Sequence, residues 1–140
     1  MIRDTSTGLS FEKKVHIQNN GLNLSKYNLY SYLKKKGVDW SKYLSKRLLP
    51  DEAYLDEDSK IFIVYEKKYQ QTPGSADEKP QTCAFKIHQF KKLMKSIGVE
   101  NVKYIYIFND WFKKPEYKDM LEYIKSVEGC DYLFEEDLEI

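Results

Sequence analysis

The sequence has few cysteines and no long apolar run, and both absences exclude classes of protein. Its 140 residues include two cysteines, Cys83 and Cys130, which stand far apart and in no spacing that suits a metal site. They are expected to be reduced, packed thiols of a cytoplasmic protein. No segment resembles a secretory signal peptide, and no apolar run is long enough to cross a membrane. The sequence therefore predicts neither a disulfide-stabilised secreted domain nor a membrane protein.

An excess of charge of one sign is also lacking. Lysine and arginine total 23, aspartate and glutamate total 22, and the net charge is +1. Because nucleic-acid-binding domains usually have a basic excess, the total charge alone does not favour one. The distribution is more informative, since acidic residues cluster at 51–58 and 135–139, and basic residues at 34–36, 42–47 and 86–95. A basic surface beside an acidic pocket is compatible with this charge, although charge runs are more often solvated faces.

The overall composition is that of a globular protein. Hydrophobic residues make up 41% and charged residues 32%, and the length fits one domain with one core. No internal repeat is recognisable, so we expect a single domain over 1–140. Twelve of the residues are tyrosines, which serve either as core and rim aromatics or as hydroxyls that contact phosphates and bases.

The first third of the chain has helical spacing. Phe11 and Val15 stand one turn apart and are predicted to face inward on a first helix. Ser25 can cap a second helix that runs to Lys36, and Asp39 can cap a short third one. We therefore expect this part of the chain to be mainly helical.

Strand patterns follow in the rest of the chain. Residues 52–56 and 61–65 are predicted to form a hairpin, and the second of these segments is a continuous apolar run typical of a strand buried on both faces. A further apolar run over 102–108 and a short one over 132–134 predict two more strands.

Two helices are predicted between these later strands. Asp77 can cap the first helix, and Pro115 opens the second. The inward stripe of the first consists of Cys83, Ile87, Phe90, Met94 and Ile97. Because helices that alternate with strands imply parallel crossovers, the sequence predicts an α/β fold with a mixed sheet flanked by helices and preceded by extra N-terminal helices.

Three residues with the chemistry of a hydrolytic site stand at the open end of the predicted hairpin. Asp51 lies where the chain enters the hairpin, and Glu66 and Lys68 lie where the apolar strand ends. Alternation along a strand puts Glu66 and Lys68 on one side and Lys67 on the other. The hairpin can therefore bring Asp51 beside Glu66 and Lys68 at one end of the sheet.

This set of groups suits the hydrolysis of a phosphodiester. Carboxylate oxygens hold a hard divalent cation such as Mg²⁺, and such a cation stabilises charge on the phosphate oxygens and acidifies a bound water. A neighbouring lysine can orient or deprotonate that water. The ordinary alternative is that Asp51 is a turn residue and that Glu66 and Lys68 form a solvated strand end.

The segments Pro50-Asp51 and Glu66-Lys67-Lys68 together resemble the motif of the PD-(D/E)xK nuclease superfamily, which includes many type II restriction endonucleases and some junction resolvases. The resemblance implies a restriction-endonuclease-like core in the order helix, three strands, helix, strand. It also implies that Asp51 and Glu66 bind the metal together with the main-chain carbonyl of Lys67, and that Lys68 positions the attacking water.

Two further residues have counterparts in that family. An acidic residue often comes from the first core helix, and Glu12 is the candidate here. A polar residue, commonly glutamine, often opens the helix after the lysine strand, and Gln81 has that place. Within a single nuclease domain, the resemblance implies a catalytic core at 48–110 and a helical insertion at 18–47.

The sequence therefore predicts a cytoplasmic Mg²⁺-dependent endonuclease, in which Mn²⁺ can substitute, that cuts double-stranded DNA as a restriction-type homodimer. The predicted DNA contacts are Gln70, Gln71, Ser75, Lys79 and Lys86. Two alternatives stay open. One is a structure-selective nuclease of the junction-resolvase or repair type, and the other is a nuclease-like fold that binds DNA or protein without cutting.

Overall fold

One mixed sheet organises the fold. The structure, a computed structural model, describes residues 6–72 and 79–138. The strands of the sheet follow their order in the chain, as β1 (Leu22–Asn23), β2 (Glu52–Asp56), β3 (Ile61–Lys68), β4 (Asn101–Phe108) and β5 (Cys130–Phe134). β2 pairs antiparallel with both β1 and β3, whereas the pairs β3–β4 and β4–β5 are parallel. The predicted α/β class with a mixed sheet is confirmed.

Helices connect and cover these strands. They are α1 (Phe11–Asn20), α2 (Asn28–Lys35), α3 (Cys83–Lys95) and α4 (Lys118–Ser126). Because parallel neighbours need a crossover, α3 links β3 to β4, and α4 links β4 to β5. Within the described part of the chain, no helix is long and apolar enough to cross a membrane.

The two faces of the sheet carry separate clusters of buried side chains. On one face Phe62 and Val64 of β3 pack with the apolar residues of α2, α3 and α4. On the other face Ile61, Ile63 and Tyr65 pack with Ile17 of α1. Both sides of β3 are therefore covered, which explains why its sequence is apolar without alternation.

The inward face of α1 differs from the prediction. Phe11 and Val15 are 40% and 37% exposed, so the expectation that they face inward is wrong. The buried residues of this helix are instead Lys14 and Ile17. A lysine can take an inward position when its ammonium group is paired, and Lys14 Nζ lies 4.0 Å from Oδ2 of the buried Asp131 on β5.

The segment predicted as a helical insertion, 18–47, contains less helix than expected. Its first three residues complete α1, and Leu22–Asn23 form β1. Ser25 does not cap α2, which begins at Asn28, because its hydroxyl instead accepts a hydrogen bond from the N–H of Ala53 at 3.1 Å. The predicted cap at Asp39 is confirmed, since its carboxylate accepts a hydrogen bond from the N–H of Ser41 in a short 3₁₀ turn.

The second half of the chain agrees more closely with the predicted elements. The predicted strands over 52–56 and 102–108 are β2 and β4. The stripe of α3 is buried at Cys83, Ile87, Phe90 and Met94. Pro115 opens a 3₁₀ turn and not α4 itself, which begins at Lys118. Asp77, the predicted cap before α3, lies outside the described residues.

Gly21 ends α1 at a point where the backbone of β2 comes close. A Cβ atom at this position would lie 2.5 Å from the carbonyl oxygen of Ile17 and 2.9 Å from that of Leu55. Both atoms belong to backbone held in the helix and the sheet, so we expect Gly21→Ala to lower the free energy of unfolding by about 3 kcal/mol. Urea denaturation measures this loss.

Gly8→Ala is the matched control for Gly21→Ala. Gly8 has a φ of +76° but open space around it, so alanine there costs only the left-handed conformation, about 1 kcal/mol. A loss at Gly21 no larger than that at Gly8 would contradict the proposed backbone clash.

Candidate active site

The strand register places the two predicted carboxylates side by side. Glu52 pairs with Tyr65, and one further step along the antiparallel register puts Asp51 opposite Glu66. Because side chains alternate along a strand, Lys68 shares the face of Glu66, on which α2, α3 and α4 pack. Lys67 lies on the other face. The structure therefore brings Asp51, Glu66 and Lys68 together at one end of the sheet.

Glu66 is a buried acid beside another acid. Only 9% of the residue is exposed. Burial, its hydrogen bond with Asp51 and the charge of that carboxylate raise the pKa of Glu66 to about 8, although Lys68 acts in the opposite direction. At neutral pH, in the absence of a metal, Glu66 is therefore largely protonated and shares its proton with Asp51.

Asp51 is the charged member of this pair. Burial by itself would raise its pKa, but hydrogen bonds from Lys26, from Glu66 and from the N–H of Lys67 outweigh burial and hold the pKa of Asp51 below its usual value. Lys26 Nζ lies 2.8 Å from Oδ1, and the N–H of Lys67 donates to Oδ2 at 3.1 Å. The two carboxyls thus form an asymmetric acid pair, ionised at Asp51 and protonated at Glu66.

Lys26 is a site residue that the sequence reasoning missed. It is a non-glycine residue with a positive φ, +52°, and its N–H donates to the carbonyl oxygen of Pro50 at 2.8 Å. This main-chain contact holds Lys26 next to Asp51 although 25 residues separate them in sequence. No local pattern signals the contact, because it depends on how the segment after β1 passes the start of β2.

A cavity of about 540 Å³ opens next to Glu66 and Lys68. The loop before Asp51, the start of α3 and the floor formed by β4 enclose it. Its lining residues are Leu48, Leu49, Glu66, Lys68, Lys79, Thr82, Phe85, Lys86, Phe90, Tyr104 and Tyr106. Among the lining residues that the structure describes, Glu66 is the one acid and three are lysines, so this part of the cavity favours an anionic ligand.

The start of α3 supplies two of the predicted DNA contacts. Lys79 and Lys86 both line the cavity. Gln81 does not line it, because it is exposed on the 3₁₀ turn Lys79–Thr82, and Thr82 contributes to the wall instead. The structure therefore does not bring Gln81 to Asp51 and Glu66.

The loop after β3 is fixed at its first residue. The side-chain amide of Asn109, which follows β4, accepts a hydrogen bond from the N–H of Gln70 at 3.2 Å and donates one to its carbonyl oxygen at 2.7 Å. The side chain of Gln70 donates to the carbonyl oxygen of Thr72, and Gln71 is exposed. Ser75, the remaining predicted contact, lies outside the described residues.

Glu12 lies apart from the acid pair. It belongs to α1, which packs on the sheet face opposite Glu66 and Lys68. At 100° per residue its side chain points away from the buried face of the helix, which Lys14 and Ile17 define, and it is exposed. The structure therefore does not bring the predicted Glu12 to the site.

The donors at the acid pair suit a hard cation. Within residues 6–72 and 79–138, no three His, Cys, Asp or Glu side chains converge as a metal site. The N–H of Lys67 donates to Asp51, so the main chain of Lys67 runs beside this carboxylate. The predicted ligands, Asp51, Glu66 and the carbonyl of Lys67, are all oxygen donors, as Mg²⁺ prefers.

Comparison with known proteins found no match for this chain among family models, among curated proteins or among solved structures.

The acid pair predicts a pH-dependent stability. The pKa of Glu66 is raised on folding, so its contribution to stability is fully present below its unfolded pKa, 4.5, and is lost as the pH rises through about 8. Glu66→Gln removes this loss. In a metal chelator, we expect the variant to exceed the original protein by about 2–4 kcal/mol at pH 9 and to match it at pH 5, as measured by chemical denaturation.

Glu52→Gln is the matched control for this measurement. Glu52 neighbours Asp51 in sequence but lies on the opposite face of β2, where its carboxylate is 3.7 Å from Lys67 Nζ. We expect no stabilisation of this variant at pH 9. A Glu66→Gln variant whose advantage does not depend on pH would show that the acid pair does not titrate as described.

Proposed function

We propose that this chain is a metal-dependent nuclease that hydrolyses phosphodiester bonds of DNA. One observation carries the proposal: the buried carboxyl of Glu66 lies against that of Asp51, with Lys68 on the same face, where the sheet opens into a lysine-lined cavity. Burying one acid against another costs folding free energy, and acids whose pKa is strongly raised in this way cluster at functional sites. Phosphodiester hydrolysis makes use of both carboxylates and of the lysine.

Asp51, Glu66 and the carbonyl of Lys67 would hold Mg²⁺, or Mn²⁺ in its place. A bound Mg²⁺ supplies charge stabilisation at the phosphate oxygens and lowers the pKa of a water. Lys26 Nζ contacts Asp51 Oδ1, so Lys26 would have to release this oxygen for a cation to take it. Lys26 is more than half exposed and can swing into solvent.

The remaining side chains have roles that follow from their positions. Lys68 is two residues beyond Glu66 and lines the cavity, so its ammonium can donate a hydrogen bond to the attacking water and orient it toward phosphorus. Lys79 and Lys86 approach the same cavity from the start of α3 and can hold the phosphates on either side of the cut.

The order of elements supports a restriction-endonuclease-like core. Apart from α2, the elements up to β4 follow the order helix, three strands, helix, strand that the sequence resemblance implies. They are α1, then β1, β2 and β3, then α3 and β4. α2 stands as an insertion between β1 and β2, and α4 with β5 extends the sheet beyond β4. Asp51 directly precedes β2 and Glu66 lies near the end of β3, and these positions are compatible with the resemblance.

Restriction-type cutting of double-stranded DNA by a cytoplasmic homodimer stays a prediction. The non-enzymatic alternative, a nuclease-like module that binds without cutting, is separated from the proposal by the response to metal and by cleavage.

Metal binding should stabilise the folded protein. A ligand that binds only the folded state raises the free energy of unfolding by RT ln(1 + [L]/Kd). For a Kd of roughly 0.1–1 mM, 10 mM Mg²⁺ exceeds the Kd by about 10- to 100-fold, so we expect it to add about 1.5–3 kcal/mol at pH 8. Asp51→Asn and Glu66→Gln should lose this gain, and Glu52→Gln should keep it. Thermal unfolding with and without the cation measures it. Equal gains in the original protein and its three variants would indicate nonspecific salt effects and would contradict the proposed metal site.

Cleavage tests the chemistry itself. Supercoiled plasmid and circular single-stranded DNA are incubated with the protein and Mg²⁺, and the products are resolved on a gel. We expect cleavage to fall by about 10²-fold or more in Lys68→Ala, because loss of the group that orients the attacking water costs about that much. Asp51→Ala should show the same loss.

Lys67→Ala is the matched control for Lys68→Ala. The Lys67 side chain lies on the opposite face of β3 and pairs with Glu52. Its truncation leaves the main-chain N–H and carbonyl in place, so this variant should retain its activity. If the folded protein cuts neither DNA, or if Lys68→Ala cuts as fast as the original protein, the proposed function is wrong.

A further inference from the structure

The cavity beside Glu66 has an apolar part that hydrolysis does not use. Breaking a phosphodiester at Asp51, Glu66 and Lys68 requires room for a phosphate and a water. The cavity measures about 540 Å³, within the range of about 300–1,000 Å³ that small-molecule pockets occupy. The lining residues that supply no carboxylate or ammonium group to this chemistry are Leu48, Leu49, Thr82, Phe85, Phe90, Tyr104 and Tyr106.

Phe85 presents its ring to this cavity without being buried in the core. The inward stripe of α3 passes through Cys83, Ile87 and Phe90, and Phe85 lies on the flank of that stripe with 61% of its surface exposed. Leu49, from the loop before β2, also lines the cavity and is 38% exposed. Two apolar side chains from separate elements are therefore available to a ligand.

The floor of the cavity is rigid and aromatic. Tyr104 and Tyr106 of β4 are at most 3% exposed and contact each other edge to face, with ring centroids 5.2 Å apart. Phe90 packs against Tyr104 at 5.9 Å. A floor held in this way keeps the cavity open, since its side chains cannot collapse into the space.

The lysines around the cavity indicate which chemical group a ligand carries besides its apolar part. Lys68, Lys79 and Lys86 line the same cavity, so a ligand that fills it combines an anionic group with a flat apolar surface. A nucleotide has this combination, with its phosphate at the lysines and its base against the aromatic side chain. A base within a duplex is stacked on both faces and is not free to enter, whereas an unpaired base is.

We propose that this cavity binds an unpaired base next to the cleaved phosphate, with Phe85 as the stacking residue, so that the substrate is DNA with a single-stranded part. The inference rests on the proposed nuclease function for its cleavage step, and the binding step can be measured separately. In this proposal Phe85 determines the specificity for unpaired bases by direct contact with the substrate.

Binding is measured first, by fluorescence anisotropy in EDTA, so that no cleavage occurs. The probes are a labelled single-stranded oligonucleotide and the fully paired duplex of the same sequence. We expect tighter binding of the single strand and a loss of about tenfold or more in Phe85→Ala, as loss of one stacked base implies, with little change for the duplex. Phe85→Trp should restore the affinity for the single strand.

Phe11→Ala is the matched control, because Phe11 is also an exposed phenylalanine, 40% exposed, but lies on α1 on the other face of the sheet. It should bind both probes as the original protein does. Equal or tighter binding of the duplex, or equal effects of Phe85→Ala on both probes, would overturn the inference.

Cleavage with Mg²⁺ then separates the two proposals. Selective loss of single-strand cleavage in Phe85→Ala, with any duplex cleavage kept, supports both. Single-strand binding that depends on Phe85 without any cleavage supports the base site and refutes the nuclease. Duplex cleavage that Phe85→Ala leaves unchanged, without preference for the single strand, supports the nuclease and refutes the base site.

Discussion

The contact between the carboxyls of Asp51 and Glu66 is the constraint around which this end of the molecule is built. Two acids of like charge can lie together only if one keeps its proton or if cations surround them. Here Glu66 keeps a proton, because its pKa is raised to about 8, and Asp51 is stabilised by Lys26 and by the N–H of Lys67. The sheet register, the left-handed backbone of Lys26 and the open cavity all serve this arrangement or depend on it.

The contact between Asp51 and Glu66 depends on β3, which is buried on both faces of the sheet as far as Tyr65. The apolar run of β3 is anchored by α1 on one side and by α2, α3 and α4 on the other. On the face covered by α2, α3 and α4, Glu66 is the first described residue of β3 that lines the lysine-lined cavity. The strand therefore delivers a carboxyl to a partly dehydrated place, where its electrostatic interactions are stronger than in water.

The parts of this arrangement that could be predicted from the sequence are those governed by local periodicity. The apolar run of β3 predicted a buried strand, and alternation with a hairpin predicted that Asp51, Glu66 and Lys68 come together. The cavity, Lys26 and Phe85 could not be predicted, because each depends on how separate segments pass one another. The inward face of α1 was misjudged because Lys14 is buried through a partner on β5, 117 residues away in the chain, which no window of sequence contains.

The double hydrogen bond between Asn109 and Gln70 has a consequence for how this protein can diversify. It fastens the chain two residues after Lys68 to the end of the neighbouring parallel strand. Changes in the length or composition of the connection beyond Thr72 are thereby mechanically separated from the strand that carries Glu66 and Lys68. Insertions and substitutions in this connection can therefore accumulate with little effect on where Glu66 and Lys68 lie.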